Sequence, residues 1–294
     1  MSTQIVSLGA CGWSIAFTGC EDVLDALPTI FHGWKIQLCS RIGKPKLHAH
    51  VMKTARGRYL WRSNSMPRPE PWDSEPPTSA MDVICDVHDV LFDWFLKDNP
   101  RHLCLHAAAV RMGRGLVCFP SVHKAGKSTL CVALAAVGQT VYSDDVLPIE
   151  PRKNSGVAMG IMPRLRRPLP ARLDPSLRDF IADRKGPADR DWLYVKLRGA
   201  EISPFGQHAP IKALVFLDRK RHSRAQLKPI DKSEMLRELI LQNFADHPPV
   251  SIMDRLLAMT KNAQCSQLQF DRVLDAANLL VDEFHRPAVT GKSV

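Results

Sequence analysis

The stretch LVCFPSVHKAGKSTLCVALAAV, residues 116–137, limits the folds open to this chain more than any other. An apolar run suited to a strand meets a short loop, and the loop meets an Ala- and Leu-rich run that stops at Gly138, a residue type that caps helices. Strand, tight loop and helix in that order point to an α/β sheet.

The loop itself reads as an anion cradle. Successive backbone N–H groups and the N-terminus of the following helix surround a phosphate with donors. The cofactor-binding set is Ser121, Val122, His123, Lys124, Ala125, Gly126, Lys127, Ser128 and Thr129. Gly126 permits close backbone approach, Lys127 reaches the β and γ phosphates of a nucleotide, and Ser128 offers a hydroxyl to Mg²⁺. The pattern G-x-x-x-x-G-K-[ST] asks for glycine where Ser121 stands. A small residue serves at that position if its φ stays negative, with Pro120 fixing the approach. The bland alternative is a basic, Gly-containing turn that binds nothing, and the flanking strand and helix weigh against it.

A phosphate loop needs acidic partners, and SDD supplies two after the helix. Val141 and Tyr142 lead a strand into Asp144 and Asp145. Adjacent side chains point in different directions, so one reaches a metal while the other reaches an attacking hydroxyl. Asp218, which ends the apolar run LVFLD, is a second candidate acid. The competing readings are a solvated turn for the pair and an ordinary strand end for Asp218.

Composition bounds the rest. With 294 residues and 45% apolar content the chain can bury a sizeable core. No apolar run approaches the roughly 20 residues of a membrane span, and the opening MSTQIVSLGACGWSIAF lacks the basic start of a secretory signal, so the chain reads as cytoplasmic with no membrane partner. The eight cysteines are scattered without a C-x-x-C pair, which favours buried free thiols over disulfide or zinc frameworks. The net charge of +10 is concentrated: residues 151–200 hold twelve Lys or Arg, among them Arg164, Arg166, Arg167, Arg172 and Arg198, against five Asp. An anionic partner is implied there, or a merely solvated basic face. No nucleic acid is expected, because the segment lacks interleaved aromatics and recognised binding motifs.

Two domains are expected, a small N-terminal α/β unit over residues 1–99 and a nucleotide-binding unit over 100–294. KLHAHVMKTARGRYLWRS alternates around Gly57 like a hairpin, and the Pro-rich MPRPEPWDSEPPT reads as a loop. Ile84, Val87, Leu91, Trp94 and Phe95 recur at helical spacing in a segment that stops at Pro100. From His102 the strands LCLHAAAV, LVCF, TVYSDDVLPI and IKALVFLD follow, with C-terminal helices near residues 236–244, 252–259 and 273–284.

In this order, LHAAAVRMGRGLVCFPSVHKAGKSTLCVALAAVGQTVYSDDVLPIE resembles the HPr kinase/phosphorylase family of bacterial serine kinases, and especially the HPr-kinase-related kinases of lasso-peptide (RiPP) gene clusters. The resemblance implies a P-loop nucleotide domain like that of phosphoenolpyruvate carboxykinase. It makes Lys127 the phosphate lysine, Ser128 a Mg²⁺ ligand, Asp144 the base that takes the serine proton, Asp145 a metal partner and His106 a residue near the phosphates. More weakly, YVKLRGAEISPFGQHAPIKALVFLDR is similar to the family's second signature, matching it at Arg198 and Gly199, so that Arg198 joins the catalytic set beside the phosphoryl oxygens. Lys196 stands where the family has glutamate, so either Glu201 substitutes or metal binding differs. The implied activity is ATP- and Mg²⁺-dependent phosphorylation of a serine hydroxyl, with the C-terminal serine of a lasso-peptide precursor as the favoured acceptor. A small molecule or carrier protein as acceptor, an ATP-dependent binding module without transfer, a nucleic-acid-dependent ATPase and homo-oligomerisation all stay open.

Overall fold

The computed structural model describes residues 2–9, 12–39, 47–63, 77–122, 124–150, 152–244 and 247–285. Seven segments make the first layer: β1 (Thr3–Leu8), β2 (Trp13–Thr18), α1 (Glu21–Ile30), β3 (Ile36–Leu38), β4 (Ala49–Lys53), β5 (Tyr59–Ser63) and α2 (Ala80–Asp98). Their strands form a five-stranded sheet in the order β3-β1-β2-β4-β5. The hairpin expected around Gly57 is β4–β5, with Lys53 opposite Tyr59. Of the Pro-rich stretch 66–78, all but Pro77 and Thr78 lies outside the described residues. Helix α2 starts at a capping box: Ser79 Oγ accepts from the Asp82 N–H at 3.1 Å, and Asp82 Oδ2 accepts from the Ser79 N–H at 3.1 Å. Ile84, Val87, Leu91, Trp94 and Phe95 are all buried, as their helical spacing requires.

The rest of the chain runs β6 (Leu103–Met112), β7 (Gly115–Pro120), α3 (Lys127–Ala136), β8 (Thr140–Ser143), β9 (Val146–Glu150), β10 (Ser155–Val157), β11 (Arg164–Arg166), α4 (Pro175–Asp183), β12 (Lys185–Ala188), β13 (Trp192–Val195), a 3-10 turn (Gly199–Glu201), β14 (His208–Arg219), β15 (Gln226–Pro229), α5 (Lys232–Gln242), α6 (Pro249–Asn262), β16 (Gln264–Phe270) and α7 (Val273–Phe284). An eight-stranded mixed sheet has the order β10-β9-β6-β7-β14-β16-β15, with β8 also paired to β6. Strands β7, β14 and β16 are parallel neighbours, whereas β6 is antiparallel to β7 and β8. A small sheet of β11, β13 and β12 carries much of the basic segment. The protein is thus a mixed α/β structure with several sheets, and the three C-terminal helices fall where the sequence put them. Among the described residues no helix is long and apolar enough to cross a membrane.

The boundary expected after residue 99 coincides with the end of α2, but packing continues across it. Phe17, Ile30, Leu91, Leu105 and Phe119 belong to one contiguous apolar core. Trp34 ties the layers together: its ring stacks on Phe205 at 4.0 Å, and its Nε1–H donates to the Met159 carbonyl at 2.7 Å. Beside it the His32 N–H donates to the Gly160 carbonyl at 2.6 Å. Gly160 has φ +63°, and a Cβ there would lie 2.1 Å from the His32 carbonyl oxygen. Gly160→Ala therefore combines overpacking with an unfavourable left-handed backbone. It is expected to cost about 2–4 kcal/mol in urea denaturation, and a loss under 1 kcal/mol would show that the two layers slide freely past each other.

Candidate functional site

The phosphate-loop sequence lies between β7 and α3. Ser121 is fully buried, and its φ is not positive, so the backbone at this position makes no demand for glycine. Its hydroxyl has a task that glycine would leave undone: Oγ accepts the Leu217 N–H at 3.0 Å and pins the loop to β14. Ser121→Ala removes that acceptor from a buried donor and is expected to cost about 1–3 kcal/mol of stability, while nucleotide affinity stays within a few-fold. Denaturation and calorimetric titration of the same variant check both halves, and a large affinity loss without a stability loss would reverse the assignment.

Beyond Ser121 the loop opens to solvent. Val122 and Lys124 are exposed, Ala125 and Gly126 are half-buried, and His123 lies outside the described residues. Gly126, at φ +98°, is the N-cap of α3 and supplies no side chain to the first-turn N–H groups. Lys127 curls back into the loop. It is buried, and Nζ donates to the Ser121 carbonyl at 2.6 Å and the Val122 carbonyl at 3.3 Å. Burial lowers the ammonium's pKa, and the charges of Asp145 and Asp144 act against that shift, so lysine and carboxylates share one electrostatic environment. Thr129 is half-buried on α3.

The aspartates sit where a ladder breaks. TVYSDDVLPI forms two strands rather than one: β8 reaches Ser143 opposite Ala109, and β9 begins at Val146 opposite His106. Ser143 closes the gap, its hydroxyl donating to the Val146 carbonyl at 2.6 Å and accepting the Asp145 N–H at 3.2 Å. Both carboxylates are thereby pushed out of the sheet.

Their environments differ. Asp144 is buried, and its Oδ2 accepts the Arg164 N–H at 3.1 Å. Burial, then the charge of Asp145, pushes its pKa up to about 6. Asp145 meets His106 Nε2 at 2.9 Å through Oδ1. Burial opposes ionisation of Asp145, but the His106 hydrogen bond and the charges of His106, His88 and Arg164 outweigh it and hold the carboxyl below its usual range. Neighbouring titratable groups pushed apart in this way are a mark of acid–base sites.

Sequence reasoning missed His88 and the placement of Arg164. His88 lies on α2 and lines a small cleft beside Asp144 and Asp145 together with Tyr142, Met159 and Ile161. Burial lowers its pKa, but Asp89 and then Asp145 raise it further, for a net upward shift. One histidine in an amphipathic helix carries no pattern that marks it. Arg164 was noticed only as part of a basic run, yet its backbone holds Asp144 while its guanidinium lies against Cys85 Sγ and 4.2 Å over the Trp192 ring.

The structure brings Lys127, Ser128, Asp144, Asp145 and His106 together. It puts Arg198 elsewhere: the guanidinium donates to the Asp183 carbonyl at 2.8 Å and to Asp183 Oδ2 at 3.3 Å, at the end of α4. Glu201 is engaged by Arg184 Nε, at 3.0 and 2.9 Å to its two oxygens, and by the Arg198 N–H at 2.8 Å. Lys196 is exposed. Asp218 pairs with Lys220 at 2.8 Å and accepts from Gln267 Nε2 at 3.2 Å. The basic segment also spends charge internally. Arg164 and Arg166 stack on Trp192, Arg167 donates to the Asp189 carbonyl, and Arg178 donates to the Pro170 carbonyl. Fewer of these cations are left for an anionic partner than the sequence count suggests.

The described cysteines are free thiols. Among the described residues no group of three or more His, Cys, Asp or Glu is arranged to hold a metal. No protein-family model matches the chain, and no curated protein matches it significantly.

Proposed function

We propose that the protein is an ATP- and Mg²⁺-dependent serine kinase of the HPr-kinase-like kind, its nucleotide held by the loop between β7 and α3. One observation carries this reading: Lys127 Nζ is folded into the loop between β7 and α3, donating to the Ser121 and Val122 carbonyls, where the charges of Asp145 and Asp144 act on it. A lysine, a hydroxyl and two unlike carboxylates at a strand–loop–helix junction are the groups that phosphoryl transfer uses.

In the proposed reaction a serine Oγ attacks the γ-phosphorus of ATP, the bond to the β-phosphate oxygen breaks, and ADP leaves. Asp144 takes the hydroxyl proton. Its pKa of about 6 suits that role, since a base works best when its pKa lies near the working pH. Lys127 leaves the Ser121 and Val122 carbonyls for the phosphates, and the loop N–H groups orient them. Ser128 and Asp145 offer hard oxygen donors, the type Mg²⁺ takes alongside its water and phosphate ligands. Ser128 and Asp145 would hold it, where it would neutralise phosphate charge. Arg198 is kept in the site only if the segment carrying it leaves Asp183.

The acceptor favoured by the resemblance is a peptide ending in serine. Incubation with labelled ATP, Mg²⁺ and such a peptide, with an alanine-ended peptide as control, is expected to add one phosphate by mass to the first alone. Transfer to a small hydroxyl compound or carrier protein would keep the kinase and change the acceptor. A second reading, an ATP-dependent binding module, is favoured by exposed Lys196 and by the engagement of Glu201 with Arg184. Tight ATP binding with no phosphate moved to any acceptor would select the module.

A further inference from the structure

We propose that Gln242 is a positioning residue that acts on Asp145 through His106; the inference rests on the phosphoryl-transfer reading above. Gln242 is the last residue of α5 and is buried, an unusual setting for glutamine on a helix whose next-door Leu241 is 64% exposed. The side chain is turned inward for a reason visible in its contacts. Its Oε1 lies 3.0 Å from His106 Nδ1, and the other ring nitrogen, Nε2, lies 2.9 Å from Asp145 Oδ1.

The backbone fixes this line from both ends. Asn243 forms an antiparallel bridge with Leu105, and the Phe244 N–H donates to the Cys104 carbonyl at 3.1 Å. The chain leaving α5 is therefore stitched to β6 one residue from His106, which leaves the Gln242 amide no choice of partner ring. A ring held at one nitrogen keeps a single orientation and aims the other at the carboxylate. Without Gln242 the imidazole loses the contact at Nδ1 that helps set its χ2, and Asp145 loses a partner of fixed direction. α5 thus reaches the site through side chains that sequence separation hides.

The test compares full-length wild type with Gln242→Met and Gln242→Glu, each also in a His106→Ala background, reading ADP formed from Mg·ATP in the presence of the serine-ended peptide and the His106 ring signals in ¹H–¹⁵N spectra. Glutamate keeps an oxygen at the same reach, and methionine keeps the length without it. Gln242→Met is expected to lower kcat by about 10- to 100-fold with KM for ATP within about two-fold, the range for a residue that orients a site group. Gln242→Glu is expected to retain most of the rate. In the His106→Ala background the methionine variant is expected to cost nothing further, because the line is already cut. An equal cost in both backgrounds, or a kcat within two-fold of wild type, would overturn the positioning role. Should Gln242→Met fail to fold, Gln242→Asn, one methylene short of His106, takes its place with the same expected loss. Wild-type protein that forms no ADP with the serine-ended peptide, a small hydroxyl compound or a carrier protein would overturn the phosphoryl-transfer reading instead. Unchanged His106 ring chemical shifts in Gln242→Met would then overturn the contact itself.

Discussion

Asp144→Asn is expected to leave ATP affinity within a few-fold of wild type, to slow phosphoryl transfer by about 10²- to 10⁴-fold, and to raise the melting temperature. The first two effects follow from the proposed division of labour, in which the loop and Lys127 would hold phosphates and Asp144 would move a proton. The third follows from linkage. The carboxyl has a folded pKa of about 6 against an ordinary value of 3.8, so the folded protein binds the extra proton more tightly than the unfolded chain. Its contribution to stability is complete below about pH 4 and is lost as pH rises through about 6. At neutral pH the ionised group therefore costs the fold on the order of 3 kcal/mol. Asparagine carries no charge there, and its carbonyl still accepts the Arg164 N–H. Transfer by the wild type should for the same reason rise with pH up to about 6 and then level off. A variant that keeps full transfer would remove Asp144 as the base and turn attention to Asp145 or Asp218. A variant that loses transfer without gaining stability would show that the site carries less strain than its burial implies.

Much of this arrangement is legible in local sequence, and the limit of legibility is physical. The strand–loop–helix stretch and the aspartate pair are contiguous runs whose neighbours in sequence are their neighbours in space, so LVCF, GKST and SDD announce themselves. Helix α2 is legible for a similar reason, since its periodicity and its Ser79–Asp82 cap are local. What fails to show is any partner brought from far away. Gln242 meets His106 across 136 positions, and Arg164 meets Asp144 across 20. No spacing rule reaches those distances. Ser121 is instructive in another way, because the motif treats it as a missing glycine. Its value appears only once β14 lies alongside and Leu217 offers an N–H. The basic run misleads in the opposite direction: counting charge cannot reveal that Trp192 stacks two of the arginines and that Glu201 and Asp183 engage two more. The first sheet was read only at its β4–β5 hairpin, because β2 is buried almost throughout and shows no alternation to read.

Lys127→Met is expected to weaken ATP binding by about 10²- to 10³-fold while changing stability by less than about 1 kcal/mol, a separation between binding and folding that few buried residues would show. The side chain is buried and its pKa is lowered by that burial, so the fold gains little from keeping the charge there. For the fold the ammonium makes two hydrogen bonds, to the Ser121 and Val122 carbonyls, while attraction to Asp145 and Asp144 offsets part of its burial. Val122 is exposed, so water can replace one of them, and methionine fills the space of the stem. A bound nucleotide makes the larger demand, because its β and γ oxygens need a cation inside the loop and no other lysine or arginine is described at hydrogen-bonding distance from those two carbonyls. Lys127→Arg should not restore binding, since a planar guanidinium presents its donors in a fixed fork in place of a compact ammonium point charge. Calorimetric titration with Mg·ATP and thermal melts of the same samples give both quantities. Affinity within a few-fold of wild type would mean that the loop is an ordinary basic turn, and with it the proposed nucleotide site would fall.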